Sequence, residues 1–339
     1  MRNFRVVAGG AVLFALLVGA CTPGAVNQSP TPATTNAPAT TNAPASVTPS
    51  QGAASIASTL VFGGPPECPQ RPFCLIGLQD AYGLNFKEFK PLDSGGPITV
   101  EALDNDEVQV ALLFSSDPTI TGRNFVELED DLALQRADNL VPVINAQLVE
   151  DNPVIADLLD TISALLSQDA LIELNRQSTE DRTNPEDIAA AWLETEGLLE
   201  EADSTAGEGV DLTVGKTNFY EQDILAELYA QILEANGFTV ARQDASGTRE
   251  VVFPALEDGQ IDVLVEYAAT ALEYVNGGAG QATADPQETT ELLRTALEPL
   301  GLTALDPSEA ADQNAIVVTQ ATADLYGLQT ISDLNKPAP

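Results

Sequence analysis

The chain writes one pattern twice, and this repetition constrains its fold more than any other feature. From Ser58 to Phe114, "STLVFGG", "LIGLQDAYGL", "NFKEFKPL", "SGGPITVEALDND" and "VQVALLF" read in turn as strand, short helix, strand, helix and buried strand. From Leu212 to Tyr267, "LTVG", "TNFYEQDILAELYAQILEANG", "FTVARQ", "ASGTREVVFPALEDGQ" and "IDVLVEY" repeat that order. In the longer helix Ile224, Leu225, Leu228, Ile232 and Leu233 form one apolar stripe, and Gly237 ends it. Asn218 is placed to cap its start, with Glu221 three residues on to close a capping box. Such β-α-β-α-β order predicts a mostly parallel sheet flanked by helices. Two copies predict two α/β lobes of similar design. Between them Asn152 to Leu199 has helical periodicity, with Asp187 near one helix start, and Glu200 to Gly209 is a polar linker containing glycine.

In open α/β sheets ligands sit beyond the carboxyl ends of the strands, where helix N-termini present free N–H groups. The loops predicted there are Lys216–Gln222, Tyr267–Thr270, Pro65–Phe73 and Phe114–Asp117. Two lobes that each contribute such loops make a cleft that can close by a hinge.

The N-terminus adds an address. Arg2 and Arg5 precede the apolar run Ala11–Ala20, which falls short of the ~20 residues of a membrane span and reads as a signal peptide over 1–20. In "LVGAC", Cys21 follows small residues as in a bacterial lipobox, where the cysteine is lipidated; the alternative is an ordinary secretory signal with an incidental cysteine. Residues 21–58, rich in Pro, Ala, Thr, Ser and Asn with "ATTNAPATTNAPA" as a direct repeat, cannot bury enough apolar surface to order themselves and are expected to form a tether.

The formal charge is −37, or −39 once Arg2 and Arg5 leave with the signal. A surplus this large repels nucleic-acid phosphates. It suits solubility in salt, or attraction of a cationic or zwitterionic ligand. The chain has no histidine, which excludes Ser-His-Asp and Cys-His mechanisms and His-ligated metals. No cofactor or metal site is expected. Cys68 and Cys74 in "CPQRPFC" read as a disulfide loop in an exported protein.

At these residues the chain resembles the substrate-binding proteins of ABC importers for glycine betaine, choline, carnitine and related osmoprotectants. "VGKTNFYEQ" is similar to the phrase that opens the first lobe in that family. "VFPALEDGQID" and "EYAATAL" match its next motifs, and "YGLQTISDL" its crossing into the second lobe. "LVFGGPPECPQRPFC" and "VALLFSSDPTI" resemble its second-lobe motifs. The resemblance implies a two-lobed fold like the type II periplasmic binding proteins. The order departs from the family, whose "TISDL" segment leads into its "LVFGG" segment. Here the first lies at the C-terminus and the second just after the tether, so the chain reads as a circular permutant; a shuffled or truncated tandem copy is the rival account. Accordingly 59–150 is expected to supply second-lobe elements and a crossing strand, 151–209 a helical return and linker, 210–312 the first lobe, and 313–339 a crossing strand back.

The resemblance places Lys216, Gln222, Tyr267 and Thr270 in the first lobe's part of the site. Arg71, Phe114, Ser115 and Asp117 fall in the second lobe's part, and Asp312 at the crossing strand. Tyr267 and Phe114 are cast as faces of a cage for a quaternary ammonium, which has no N–H to donate and is held by cation–π attraction. Lys216, Arg71 and Thr270 are cast as donors to a carboxylate, and Asp312 as counter-charge. Asn218 and Gln222 either touch ligand or cap the helix; Tyr267 alone could be a core aromatic, and Arg71 a surface residue. The family's tyrosine at the crossing strand is replaced by Asn314, which points to a more polar ligand. The expected function is that of a monomeric, lipid-anchored, extracytoplasmic solute-binding protein working with a permease and its ATPase. The alternatives are a sensor for a polar solute without a permease, and an extracytoplasmic enzyme using two carboxylates, for which no G-x-S-x-G or other nucleophile motif speaks.

Overall fold

The computed structural model describes residues 54–200, 202–244 and 247–339. The expected signal peptide and lipidation at Cys21 lie outside the described residues. So does the tether, except for its last residues, and those correct the expected boundary. Ile56 and Ala57 are buried, the Ile56 N–H donates to Lys336 O at 2.9 Å, and Ser55 bridges Pro337. Burying an isoleucine side chain is favourable enough to hold this short stretch against the domain.

Ten strands are present among the described residues: β1 (Val61–Gly64), β2 (Glu88–Pro91), β3 (Val110–Phe114), β4 (Phe125–Glu127), β5 (Leu140–Asn145), β6 (Asp211–Lys216), β7 (Thr239–Asp244), β8 (Val263–Tyr267), β9 (Leu302–Ala304) and β10 (Asn314–Thr319). They form two five-stranded sheets of one design, ordered β2-β1-β3-β10-β4 and β7-β6-β8-β5-β9. In each, three strands run parallel, as the repeated pattern predicts. The fourth position is taken by an antiparallel strand from the other half of the chain. β10 pairs Asn314 with Phe114 on β3, and β5 pairs Leu140 with Tyr267 on β8. The lobes therefore exchange strands at two crossings.

The sheets are packed by buried aliphatic side chains on both faces, with Phe62 and Phe253 among the largest fully buried groups. The helix Gln222–Ala235 buries all five residues of its predicted stripe. Gly237 ends it at φ 86°, and a Cβ there would meet the Ser204 carbonyl oxygen at 2.1 Å, so only glycine fits. The helices Val154–Leu165, Gln168–Thr179 and Pro185–Thr195 fill the predicted helical stretch.

The capping box at Asn218 and Glu221 is absent. The helix begins at Gln222 with Glu221 at the N-cap, whose side chain makes no cap hydrogen bond, and the Asn218 N–H donates to Gly247 O at 2.9 Å. Glu221 is instead fully buried beneath the cleft, where stronger partners take its carboxyl.

Candidate functional site

A cleft of about 1270 Å³ runs between the lobes. Its walls come from the ends of β1, β3, β6 and β8 and from the start of β10, as the strand-end rule requires. Arg71, Phe114 and Asp117 line it from one lobe. Asn218, Tyr267 and Thr270 line it from the other, with Asp312 and Asn314 at the crossing strand. Lys216, Ser115 and Gln222 do not line it. Lys216 is ion-paired with Asp223. The Ser115 hydroxyl accepts the Gln313 N–H at 2.9 Å and ties the two crossing segments together. Gln222 is buried and donates to Val265 O and to the Tyr267 hydroxyl.

Cys68 and Cys74 are joined in a disulfide, which closes the loop carrying Arg71 and Phe73 onto the cleft. Asn314 donates its side-chain N–H to Phe73 O at 3.0 Å and so braces that loop.

Four aromatic rings form a chain across the cleft. Phe114 meets Phe219 edge-on with centroids 5.0 Å apart. Phe219 lies 4.6 Å from Tyr220 and 5.9 Å from Tyr267. Phe114, Phe219 and Tyr220 are half-buried, whereas Tyr267 is 8% exposed and sits behind the Phe219 edge. The sequence reasoning missed Phe219 and Tyr220. Both lie inside "TNFYEQ", in the loop predicted beyond the strand end, so the strand-end rule could have found them.

Beneath the rings lies a buried polar hub. Ser116 Oγ is 2.5 Å from the Tyr220 hydroxyl, 2.9 Å from Glu221 Oε2 and 2.8 Å from Asp312 Oδ1. Tyr267 donates to Glu221 Oε1 at 2.6 Å, and Asn175 Nδ2 donates to Glu221 Oε2 at 2.9 Å. The Ser116 hydroxyl lies in donor geometry to both carboxyls, so the two acids meet at one shared hydrogen. Burial pushes both carboxyls up, and the Glu221 charge raises Asp312 further. Asp312, cast as a counter-charge, lines the cleft and is at the same time tied into this hub through Ser116.

A second buried cluster opens into the cleft. Arg249, at the first turn of the helix Arg249–Glu257, is ion-paired with Glu266 at 2.8 Å and donates to Thr270 Oγ1 at 2.7 Å. Asp138 accepts the Thr270 N–H at 2.9 Å, and burial raises its carboxyl to about 7, against the pull of that N–H and of Arg249. Apart from Thr270, the sequence carried no mark of this cluster, because its members are 132 residues apart at the extremes and meet through β5 beside β8. Among the described residues no group of carboxylates or thiolates is arranged to hold a metal ion, and no helix is long and apolar enough to cross a membrane.

Comparison with known proteins follows the same lines. Residues 43–195 and 210–339 match the family model described as the substrate binding domain of ABC-type glycine betaine transport systems. A glycine-betaine-binding protein of Pseudomonas aeruginosa is 29% identical over 161 residues, 47% of this chain and 50% of that protein, so the chain spans about half the length of this relative. Among solved structures, an ancestral arginine-binding protein bound to arginine is 16% identical with a TM-score of 0.38, covering 83% of this chain and 91% of that one. A structure from work on glutathione import in Gram-positive bacteria via GshT and the cystine ABC importer TcyBC of Streptococcus mutans is 11% identical with a TM-score of 0.39, covering 82% of this chain and 87% of that one. With a family match over most of its length, the chain belongs to the substrate-binding domains of ABC-type glycine betaine transport systems.

Proposed function

We propose that the cleft binds a small quaternary-ammonium or zwitterionic osmoprotectant, glycine betaine, choline, carnitine or a similar solute, for delivery to an ABC permease. The observation that carries this reading is the chain of rings from both lobes at the cleft, Phe114, Phe219 and Tyr220 backed by Tyr267. Ring faces attract a methylated ammonium, each by about 0.5–2 kcal/mol. The surrounding carboxylates favour the cationic pole. Arg71 and Thr270 are among the donors that line the cleft and serve an anionic one.

Phe219→Ala is expected to weaken binding of such a solute by roughly 1–3 kcal/mol through lost cation–π attraction and packing. Tyr267→Phe should spare binding. It removes the donor to Glu221 Oε1 and so should cost stability by about 1–3 kcal/mol. Calorimetric titration and denaturant unfolding of the two variants separate these effects; equal binding loss in both would count against the ring faces.

Lipidation at Cys21 belongs to the same reading. Cys21→Ser is expected to release the protein from the membrane fraction, and unchanged retention would remove the anchor.

The circular permutation is likewise a proposal. It is supported by the two-part family match, which skips 196–209, and by contact between Ile56 and Lys336. A reordered chain running 210–334 and then 59–199 keeps every strand end that lines the cleft. It should fold and bind as the native order does, because closure entropy changes by only ~0.6 kcal/mol per doubling of loop length. A reordered protein that folds without binding the same solute would falsify this account.

A further inference from the structure

Thr270 is held from two sides. Asp138 Oδ1 accepts its N–H at 2.9 Å, and Arg249 Nη2 donates to its Oγ1 at 2.7 Å. Arg249, Glu266, Asp138 and Thr270 all line the cleft. A threonine hydroxyl offers one hydrogen and two acceptor sites, and a guanidinium can only donate. With Arg249 on one acceptor site, the hydroxyl cannot donate towards Arg249. No acceptor for its hydrogen is found among the described residues, so that hydrogen is left for the cleft.

The charge of Arg249 is engaged elsewhere. Its Nε lies 2.9 Å and 3.1 Å from the two carboxylate oxygens of Glu266, which is 1% exposed on its side chain, while Arg249 is 18% exposed. The ion pair therefore offers a ligand little net attraction. What it offers is orientation, since the bidentate contact locks the fork that meets Thr270.

We propose that Arg249 is a positioning residue that commits the Thr270 hydroxyl to donate into the cleft, and that this oriented donor selects solutes with a carboxylate over cationic solutes that lack one. The inference rests on the osmoprotectant reading above and deepens it. A zwitterion such as glycine betaine gains a charge-assisted hydrogen bond from Thr270, whereas choline, with a hydroxyl at that end, gains only a neutral one.

The test is titration of glycine betaine and choline into the full-length protein and its variants. Thr270→Val should cost about tenfold or more in glycine betaine affinity and under about threefold in choline affinity. Thr270→Ser should retain the wild-type ratio. Arg249→Met combined with Glu266→Gln, which removes both partners of the ion pair together, should show the same selective loss. Adding Thr270→Val to that pair should cost nothing more, because Arg249 acts only through Thr270. Should the pair variant not fold, Arg249→Lys, which keeps a cation beside Glu266 but not the fork, is expected to lose the same ratio. Equal losses for both solutes in the Arg249 variants, or full additivity with Thr270→Val, overturn this inference alone. Wild-type protein that takes up neither solute overturns the osmoprotectant reading and this inference with it.

Discussion

Stability should fall by roughly 4 kcal/mol through Asp138 as the pH rises from about 4 to about 7, and Asp138→Asn should remove that fall. The sign follows from which state holds the proton. Burial raises the folded-state value of Asp138 to about 7, with the Glu266 charge adding to it against the Thr270 N–H and Arg249. In the unfolded chain an aspartate titrates near ~3.9. Between these values the folded protein binds the extra proton, so its stabilising effect is fully present below about pH 4 and lost through about pH 7. Asparagine keeps an oxygen for the Thr270 N–H and carries no charge to desolvate. Glu221 and Asp312, both raised, act in the same direction. Urea unfolding of wild type and Asp138→Asn across pH 4–8 makes the comparison; parallel profiles would show that Asp138 titrates normally in the folded state.

Phe62→Ala is expected to cost about 3–5 kcal/mol. Phe62 is fully buried on β1, stacked on Phe86 with centroids 4.9 Å apart and meeting Phe89 edge-on at 5.8 Å. Its removal leaves a cavity that the two neighbouring rings, Phe86 and Phe89, cannot readily collapse to fill. The loss should appear as one cooperative transition. β10 completes the sheet of β1, and β5 completes the sheet of β6, so neither lobe keeps its five strands if the other unravels. Circular dichroism and calorimetry together test this. A cost under about 1 kcal/mol would contradict the packing, and two resolved transitions would contradict the shared strands.

The fold was legible where local pattern decides it. The repeated strand–helix order gave the two sheets, the stripe in Gln222–Ala235 the helix face, and Gly237 the helix stop. Strand-end reasoning placed the cleft at the correct loops. The capping box failed because a motif match at Asn218 and Glu221 sees only its own few residues. It could not see Ser116, Asn175 and Tyr267 arriving from elsewhere to take the Glu221 carboxyl. The same limit hid the Arg249 cluster, whose partners lie on three separate elements. Lys216 was nominated for its motif, yet Asp223, seven residues on, engages it away from the cleft wall. Composition likewise marked residues 54–58 as tether, since it cannot register that one isoleucine there has a pocket waiting.

The account stands most directly on what the cleft binds. Calorimetric titration of the purified protein with glycine betaine, choline, carnitine and arginine measures it. Saturable binding of at least one quaternary ammonium at one site per chain, weakened in Phe219→Ala, is the expected result. Binding of arginine alone, or quaternary-ammonium binding unchanged in Phe219→Ala, would contradict it.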